Sequence, residues 1–345
     1  DAGAPEDILY AYNPHVGTDV LRRVVKNMRH TIEAQGGEVH FSSCVTAIHR
    51  DDSGRITSVT VNGCDEYPAE LVVMGIGHSA RDTYYMLHDQ GITLEKKPFA
   101  VGVRIEHSQD VIDRAQYGCP AADLGLEPAD YALVYHSPEG RSCYSFCMCP
   151  GGQVVAAASE EGRVVTNGMS YYARDGINAN AALLVGIGPA DFDSEHPLAG
   201  MFLQEKIEEQ AFRVAGGGYR APVQRVGDFM QRRVSTGFGA VLPTYRPGVA
   251  FASLDAILPQ EVAGAMRQGL LKMNARLRGF AHPDALLTGP ETRSSSPVRF
   301  LRGADCQSLG CRGLYPCGEG AGWAGGITSA AVDGIRCAEA VLRNA

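Results

Sequence analysis

The chain has 345 residues, 45% of them hydrophobic and 20% charged, which is enough apolar material for the cores of two domains and too much for a disordered tail. A net charge of −8 disfavours general binding to a nucleic-acid backbone, which relies on clustered Lys and Arg. The longest apolar runs, such as residues 71–76, are far short of the ~20 residues that span a bilayer, and ten irregularly spaced cysteines without a secretion pattern read as reduced thiols of a cytoplasmic protein.

Residues 18–35 carry Val20, Leu21, Val24, Val25, Met28 and Ile32 at helical spacing. Thr18 or Asp19 is placed to cap this helix, and Gly36-Gly37 ends it. Alternation over 38–41, 44–50 and 56–61, with Asp51-Asp52-Ser53-Gly54 between the last two, predicts a β-meander. Residues 71–76 form an apolar, valine-rich run of the kind buried on both faces of a parallel sheet. From Pro98 the texture changes to longer strand-like runs at 99–106, 131–136, 143–148 and 154–158, so a domain boundary is set near residue 96. Helical patterns return at 198–214 and 261–279, and the Gly-, Pro- and Arg-rich stretch 216–247 between them reads as mostly loop. From Gly313 the pattern is strand, glycine-rich turn and final helix, with Ile327, Ala330, Ala331, Gly334, Ile335, Ala338 and Val341 every three or four residues.

The glycine turns carry the chemistry. Gly318, Gly320, Gly322, Gly325 and Gly326 remove side chains where a backbone would approach a ligand, and the helix that follows points N–H groups and a positive dipole end toward that space, which suits an anionic cofactor. The alternative is a turn selected for tight packing alone. A second turn, Gly75-Ile-Gly-His-Ser-Ala80, fits the Gly-x-Gly-x-x-Gly/Ala fingerprint, with Glu95 18 residues beyond Gly77 as a candidate ribose ligand. It suggests dinucleotide binding in its own right, or closure of another cofactor's site. The preceding meander and the Lys96-Lys97-Pro98 that follow Glu95 favour closure.

The meander leading to Val72-Val-Met-Gly-Ile-Gly77, and the terminal Cys317-Gly-Glu-Gly320 with Ala324-Gly-Gly-Ile327 and a small-residue helix, resemble the later flavin-binding elements of two-domain FAD-dependent oxidoreductases. More narrowly, the chain resembles bacterial FAD-dependent dehydrogenases that carry an FAD-dependent protein C-terminal domain. Residues 14–19, 77–82, 99–107, 144–152, 166–170, 221–224 and 291–299 carry that resemblance together with the terminal glycine turn, and extend over almost the whole chain.

The resemblance implies an α/β chain with α+β elements. Residues 1–95 and 291–345 would belong to an FAD/NAD(P)-binding domain, and 96–290 to an inserted mixed sheet-and-helix domain that shapes the substrate pocket. Such proteins begin with a strand, a Gly-x-Gly-x-x-Gly turn and a helix that hold the FAD pyrophosphate. Nothing before Asp1 supplies that unit, so the chain is expected to be amino-terminally truncated, with doubtful FAD affinity and part of an apolar sheet face exposed.

By the same resemblance, Cys44, Val45, Thr46 and Ala47 lie along the adenine side of FAD, and Gly75, Ile76 and Gly77 approach the nucleotide. Gly318, Glu319 and Gly320 contact the ribityl or phosphate part, while Gly325, Gly326 and Ile327 direct N–H groups at the flavin's pyrimidine edge. Glu319 is either a ribose ligand or a solvated helix-end charge. Thr292 and Arg293 are candidates to orient an anionic substrate, against a plain surface-loop role. The expected activity is hydride transfer between flavin and a small molecule, with NAD(P)H as a candidate donor. The alternatives are a non-catalytic flavin-binding module and an NAD-binding dehydrogenase built on Gly75 to Ala80. No side chain is assigned as a catalytic base. Cys147-Met-Cys149 lacks Cys-x-x-Cys spacing and is read as packing, with both thiols on one strand face. Cys306, Cys311 and Cys317 approximate a metal-ligand series without a nearby histidine, so no metal is assigned. His78 is read as a helix cap, with proton donation as the alternative.

Overall fold

The computed structural model describes residues 1–11, 14–138 and 140–344. In chain order, α1 (Thr18–Ala34) precedes β1 (Val45–Arg50), β2 (Ile56–Val61), β3 (Asp65–Pro68), β4 (Val72–Met74), α2 (Arg81–Asp89) and β5 (Leu94–Lys96). Then come β6 (Phe99–Ser108), α3 (Gln109–Tyr117), β7 (Val134–His136), β8 (Ser142–Cys149), β9 (Gln153–Ala156), β10 (Thr166–Met169), β11 (Asn178–Ile187) and α4 (Ala199–Val214). The remainder is β12 (Ala221–Arg225), α5 (Val226–Met230), β13 (Val249–Phe251), α6 (Gln260–Asn274), β14 (Leu286–Glu291), β15 (Val298–Phe300), β16 (Leu314–Pro316) and α7 (Ile327–Asn344). The chain is therefore a mixed α/β protein.

Two units emerge from its contacts. The first comprises residues 1–39, 101–186 and 207–292; the second comprises 40–100, 187–206 and 293–345. The first is built on a seven-stranded sheet in the order β13-β12-β14-β6-β11-β8-β7. β12 pairs with β13 in parallel, whereas β8 with β11, β12 with β14, β14 with β6 and β7 with β8 pair antiparallel. Nine of the ten residues of β6 are buried, as are nine of the ten of β11, so the centre of the sheet is covered on both faces. α1 groups with this unit because its start is tied to one loop: Thr18 N–H donates to Ser170 O at 3.1 Å and Tyr172 N–H to Asp19 Oδ1 at 2.9 Å.

The second unit holds the three-stranded antiparallel meander β1-β2-β3 and the parallel pair β4–β16, in register Leu314↔Val72, Tyr315↔Val73 and Pro316↔Met74. Its core packs Ile48, Ile56, Met74, Tyr84, Leu87, Leu94, Leu198, Val298, Phe300 and Leu314. Tyr84 and Phe300 meet with ring centroids 5.8 Å apart.

Several sequence expectations need correction. Residues 38–41 form no strand, and the meander takes 65–68 as its third strand. The stretch 216–247 is not mostly loop in its first half, since it supplies β12, a strand paired on both sides, and α5. Val73 of β4 is 48% exposed, so the apolar run is not buried on both faces. Gly17, at φ 77°, caps α1 rather than Thr18 or Asp19. The Asp19 carboxylate is engaged by Tyr172 instead.

Candidate functional site

The second unit brings two glycine turns together. β4 and β16 run parallel, and each enters a turn at its carboxyl end, β4 into Gly75–Ala80 ahead of α2 and β16 into Cys317–Gly326 ahead of α7. The ladder continues one residue into the turns, with Cys317 N–H donating to Met74 O at 3.0 Å. A Cβ on Gly320 would lie 2.3 Å from Gly77 O, and one on Gly322 would lie 2.6 Å from Val298 O. At these two positions glycine is demanded by backbone packing against backbone. Tyr84, buried at the start of α2, fixes the same contact by donating from its hydroxyl to Gly320 O at 2.6 Å.

Gly325 and Gly326 differ. A Cβ on either would meet nothing within 4 Å, and both stand immediately before α7, where the first N–H groups of a helix lack intrahelical acceptors. The first of these turn residues is held by Ser329, whose Oγ accepts from Gly325 N–H at 3.3 Å. Gly75 and Gly77 are similarly open: the nearest atom to a Cβ on Gly75 is Cys317 Sγ at 3.6 Å, an ordinary contact, and Gly77 has none within 4 Å. Gly320 and Gly322 thus pack the turns against their neighbours, whereas Gly77, Gly325 and Gly326 leave bare backbone facing open space.

A charged brace missed by the sequence reading holds the second turn. Asp333, on α7 and buried, accepts from Gly318 N–H at 2.8 Å and from Arg302 Nη1 at 3.0 Å and Nη2 at 2.5 Å. Burial pushes its carboxyl up, but the Arg302 hydrogen bonds and the Gly318 N–H outweigh that effect and hold it below its usual range. Arg302 also donates to Pro316 O at 2.8 Å, and its guanidinium lies 4.3 Å from the Trp323 ring centroid. Trp323 in turn donates from Nε1 to Phe300 O at 2.9 Å. The signal of Asp333 in the sequence is an acid at mid-helix in α7, on the face away from Ile327, Ala331 and Ile335.

Glu319 is half-buried, with Oε1 3.7 Å from His78 Nε2. Burial raises its carboxyl and the Lys97 ammonium works against that rise. It is therefore a carboxylate partly withdrawn from water rather than a fully solvated helix-end charge. His78 is not the cap of α2, whose N-cap is Ala80 without a side-chain cap bond. Its Nδ1 faces Ser79 Oγ at 3.1 Å.

The remaining candidates lie elsewhere in their units. Cys44, directly before β1, and Val45 and Thr46 at its start are exposed and Ala47 is half-exposed; β1 stands at the edge of its sheet beside β2. Cys44 N–H donates to Asn62 Oδ1 at 2.9 Å, and Asn62 N–H returns to Cys44 O at 2.7 Å, so both backbone groups of Cys44 are engaged. Ile76 is half-buried between the two glycines of its turn, and Ile327 is 78% exposed at the start of α7. Thr292 and Arg293 are both buried, contrary to a surface-loop role. Thr292 Oγ1 donates to Glu208 Oε1 at 2.6 Å. Glu95, the candidate ribose ligand, stands 3.6 Å from Arg299 Nη1 across the β5–β15 pair.

The fold and its paired turns define a mixed α/β protein in which parallel strands deliver bare glycine backbone to helix starts. Residues 98–294 match the family described as FAD-dependent protein, C-terminal domain-like, and the chain belongs to that family. It is 52% identical over 342 residues to an uncharacterised protein of Clostridium beijerinckii, an alignment covering 99% of this chain and 64% of that protein. The chain thus spans just under two thirds of its relative's length. Two crystal structures of FqzB, at 14% and 13% identity, match over 86% of this chain and 46% of theirs with a TM-score of 0.30.

Proposed function

We propose that this chain forms part of an FAD-dependent oxidoreductase and that the turns after β4 and β16 hold the cofactor. The observation that carries this reading is the open backbone at Gly325 and Gly326, directly ahead of an 18-residue helix, in a chain of the FAD-dependent family. The donor set suits the group: backbone amides and a helix dipole favour a ligand that is anionic along its diphosphate and becomes anionic at its reduced ring.

A bound flavin supplies hydride exchange with a small-molecule substrate. The chain's own residues would orient and polarise it. Gly326 and Ile327 direct N–H groups at the flavin's pyrimidine edge, and Gly325, whose N–H is held by Ser329, leaves its bare Cα beside it. Gly318 and Gly320 line the ribityl or phosphate part, and Glu319, with its partly withdrawn carboxylate, accepts from a hydroxyl. Gly75, Ile76 and Gly77 approach the nucleotide, and the edge strand from Cys44 to Ala47 lies on its adenine side. Substrate selection falls to residues 96–290, with Arg293 at the chain's return as the cation for an anionic substrate.

The absorption spectrum of the full-length protein tests the proposal. Flavin bands in the visible range, with FAD released on denaturation, are the expected result. A colourless protein that takes up no FAD on reconstitution overturns it. Reduction of the bound flavin by NADH, NADPH or a metabolite panel then separates an oxidoreductase from a flavin-binding module without turnover.

A further inference from the structure

Residues of four segments that carry the family resemblance, 99–107, 144–152, 166–170 and 291–299, meet at one buried cation in the first unit. Arg104 of β6 is fully buried. Its Nε donates to Asn180 Oδ1 at 3.0 Å, its Nη1 to Glu291 Oε2 at 3.4 Å, and its Nη2 to the Cys147 carbonyl oxygen at 3.0 Å and to Cys149 Sγ at 3.6 Å. Gly168 makes the room, since a Cβ there would lie 2.0 Å from Arg104 Nη2. Two further donors, Asn180 Nδ2 and the Tyr131 hydroxyl, are buried without a hydrogen-bond partner among the described residues.

In an even strand Cys147 and Cys149 would share one buried face. β8 is not even there. Its ladder with β11 shifts between Asn180↔Cys149 and Ala182↔Phe146, and the bulge holds Cys147 at φ 47°, a backbone state that non-glycine residues rarely adopt. The result is an exposed Cys147 beside a buried Cys149. Cys149 Sγ donates to the Cys147 carbonyl oxygen at 3.3 Å, and the two thiols are hydrogen-bonding neighbours.

The electrostatics are asymmetric in the same sense. The Cys149 hydrogen bond, aided by Arg104, pushes the Cys147 thiol down to about 6 against the effect of burial, while its hydrogen bond to Cys147 and burial push the Cys149 thiol up. Burial pushes Glu291 up to about 7, so its carboxylate only partly neutralises Arg104.

We propose that Cys147 and Cys149 are a thiol–disulfide exchange pair that reduces a small organic disulfide, with Cys147 as the attacking thiolate and Cys149 as the resolving thiol. The Cys147 sulfur attacks one sulfur of R–S–S–R, forming a mixed disulfide and expelling RS⁻, which takes a proton from solvent. Cys149 loses its thiol proton to solvent and attacks Cys147 Sγ, forming the Cys147–Cys149 disulfide and expelling the second RS⁻, which is likewise protonated. The protein pair gives up two electrons and the substrate disulfide takes them. This step does not depend on flavin.

Oxidised glutathione added to the reduced full-length protein, with remaining thiols then alkylated and peptides read by mass spectrometry, tests the pair. The expected product is a peptide in which Cys147 and Cys149 are joined. Cys149→Ser is expected to stop at a single glutathionyl adduct on Cys147, and Cys147→Ser to slow reaction of the protein at pH 7 by about tenfold or more. Iodoacetamide labelling of Cys147 in the unsubstituted protein reads its thiolate against pH, with Arg104, Cys149, Glu291 and Tyr131 as the ionisable groups of its surroundings. The expected midpoint lies near 6, and Cys149→Ser is expected to raise it. Absence of the joined peptide at every glutathione concentration, or a labelling midpoint at the ordinary thiol value near 8.5, overturns the proposal whether or not the protein holds flavin.

Discussion

At Asp333 a single carboxylate joins the last helix to the cofactor turn, since it takes the Gly318 N–H and both terminal nitrogens of Arg302. Both side chains of this pair are more than nine-tenths buried. Removing one partner of a buried pair leaves the other charge uncompensated, so Asp333→Asn is expected to cost about 3 kcal/mol in unfolding free energy at pH 7. The folded carboxyl titrates below its ordinary value of 3.8. Its stabilisation is therefore fully present above that value and lost as pH falls through the lower folded value. Denaturant unfolding of the two proteins should show a constant difference from pH 7 to about 5 and a shrinking one below about 4. A difference that persists at pH 3 would show that Asp333 acts by shape rather than charge. The flavin spectrum should weaken in the same variant, because an amide with one acceptor oxygen cannot hold both Arg302 nitrogens and the Gly318 N–H together.

The two glycines at 320 and 325 look alike in the sequence and differ in the element they serve. At Gly320 a Cβ would run into Gly77 O, and backbone cannot yield as a flexible side chain can. Gly320→Ala is expected to cost about 2 kcal/mol, as overpacking of a close contact does. Gly325→Ala meets nothing and needs no positive φ, so its melting temperature should stay at the wild-type value while flavin retention falls at least several-fold. Equal flavin occupancy in Gly325→Ala and the wild type would remove the open backbone as the cofactor contact. Composition alone could not sort these glycines, because what separates them is the neighbour across the turn. Local periodicity did reveal the helices at 18–34, 199–214 and 327–344 and the strands at 45–50, 56–61 and 99–108. It missed β11, whose Ala- and Leu-rich run does not alternate, and β14, where Gly289-Pro290 reads as a turn. The bulge at Cys147 was equally hidden, since it exists only relative to the register of β11.

Over the whole molecule, the interleaving of the two units is what spacing along the chain discloses least. Residues 187–206 group with 40–100 and 293–345, although they lie within one continuous stretch of sequence between the seven-stranded sheet's elements. The apolar stripes were equally ambiguous, because periodicity identifies an amphipathic helix without saying what covers it. In the second unit α7 turns Asp333, Cys337 and Ala340 inward and leaves Ile327 78%, Ile335 61% and Leu342 79% exposed. In the first unit α1 likewise leaves Val25, Met28 and Ile32 more than half exposed. Apolar side chains grouped on one helix face favour association in water, and a net charge of −8 opposes it only at long range. Ile335→Lys combined with Leu342→Lys is therefore expected to lower the weight-average mass of the 345-residue chain in concentrated solution, measured by light scattering. Its unfolding midpoint should stay near that of the parent, since neither side chain is in the core. The same pair of substitutions leaving the mass unchanged would show that the α7 stripe takes no part in association and would turn attention to α1, where Met28→Lys with Ile32→Lys is the matching test.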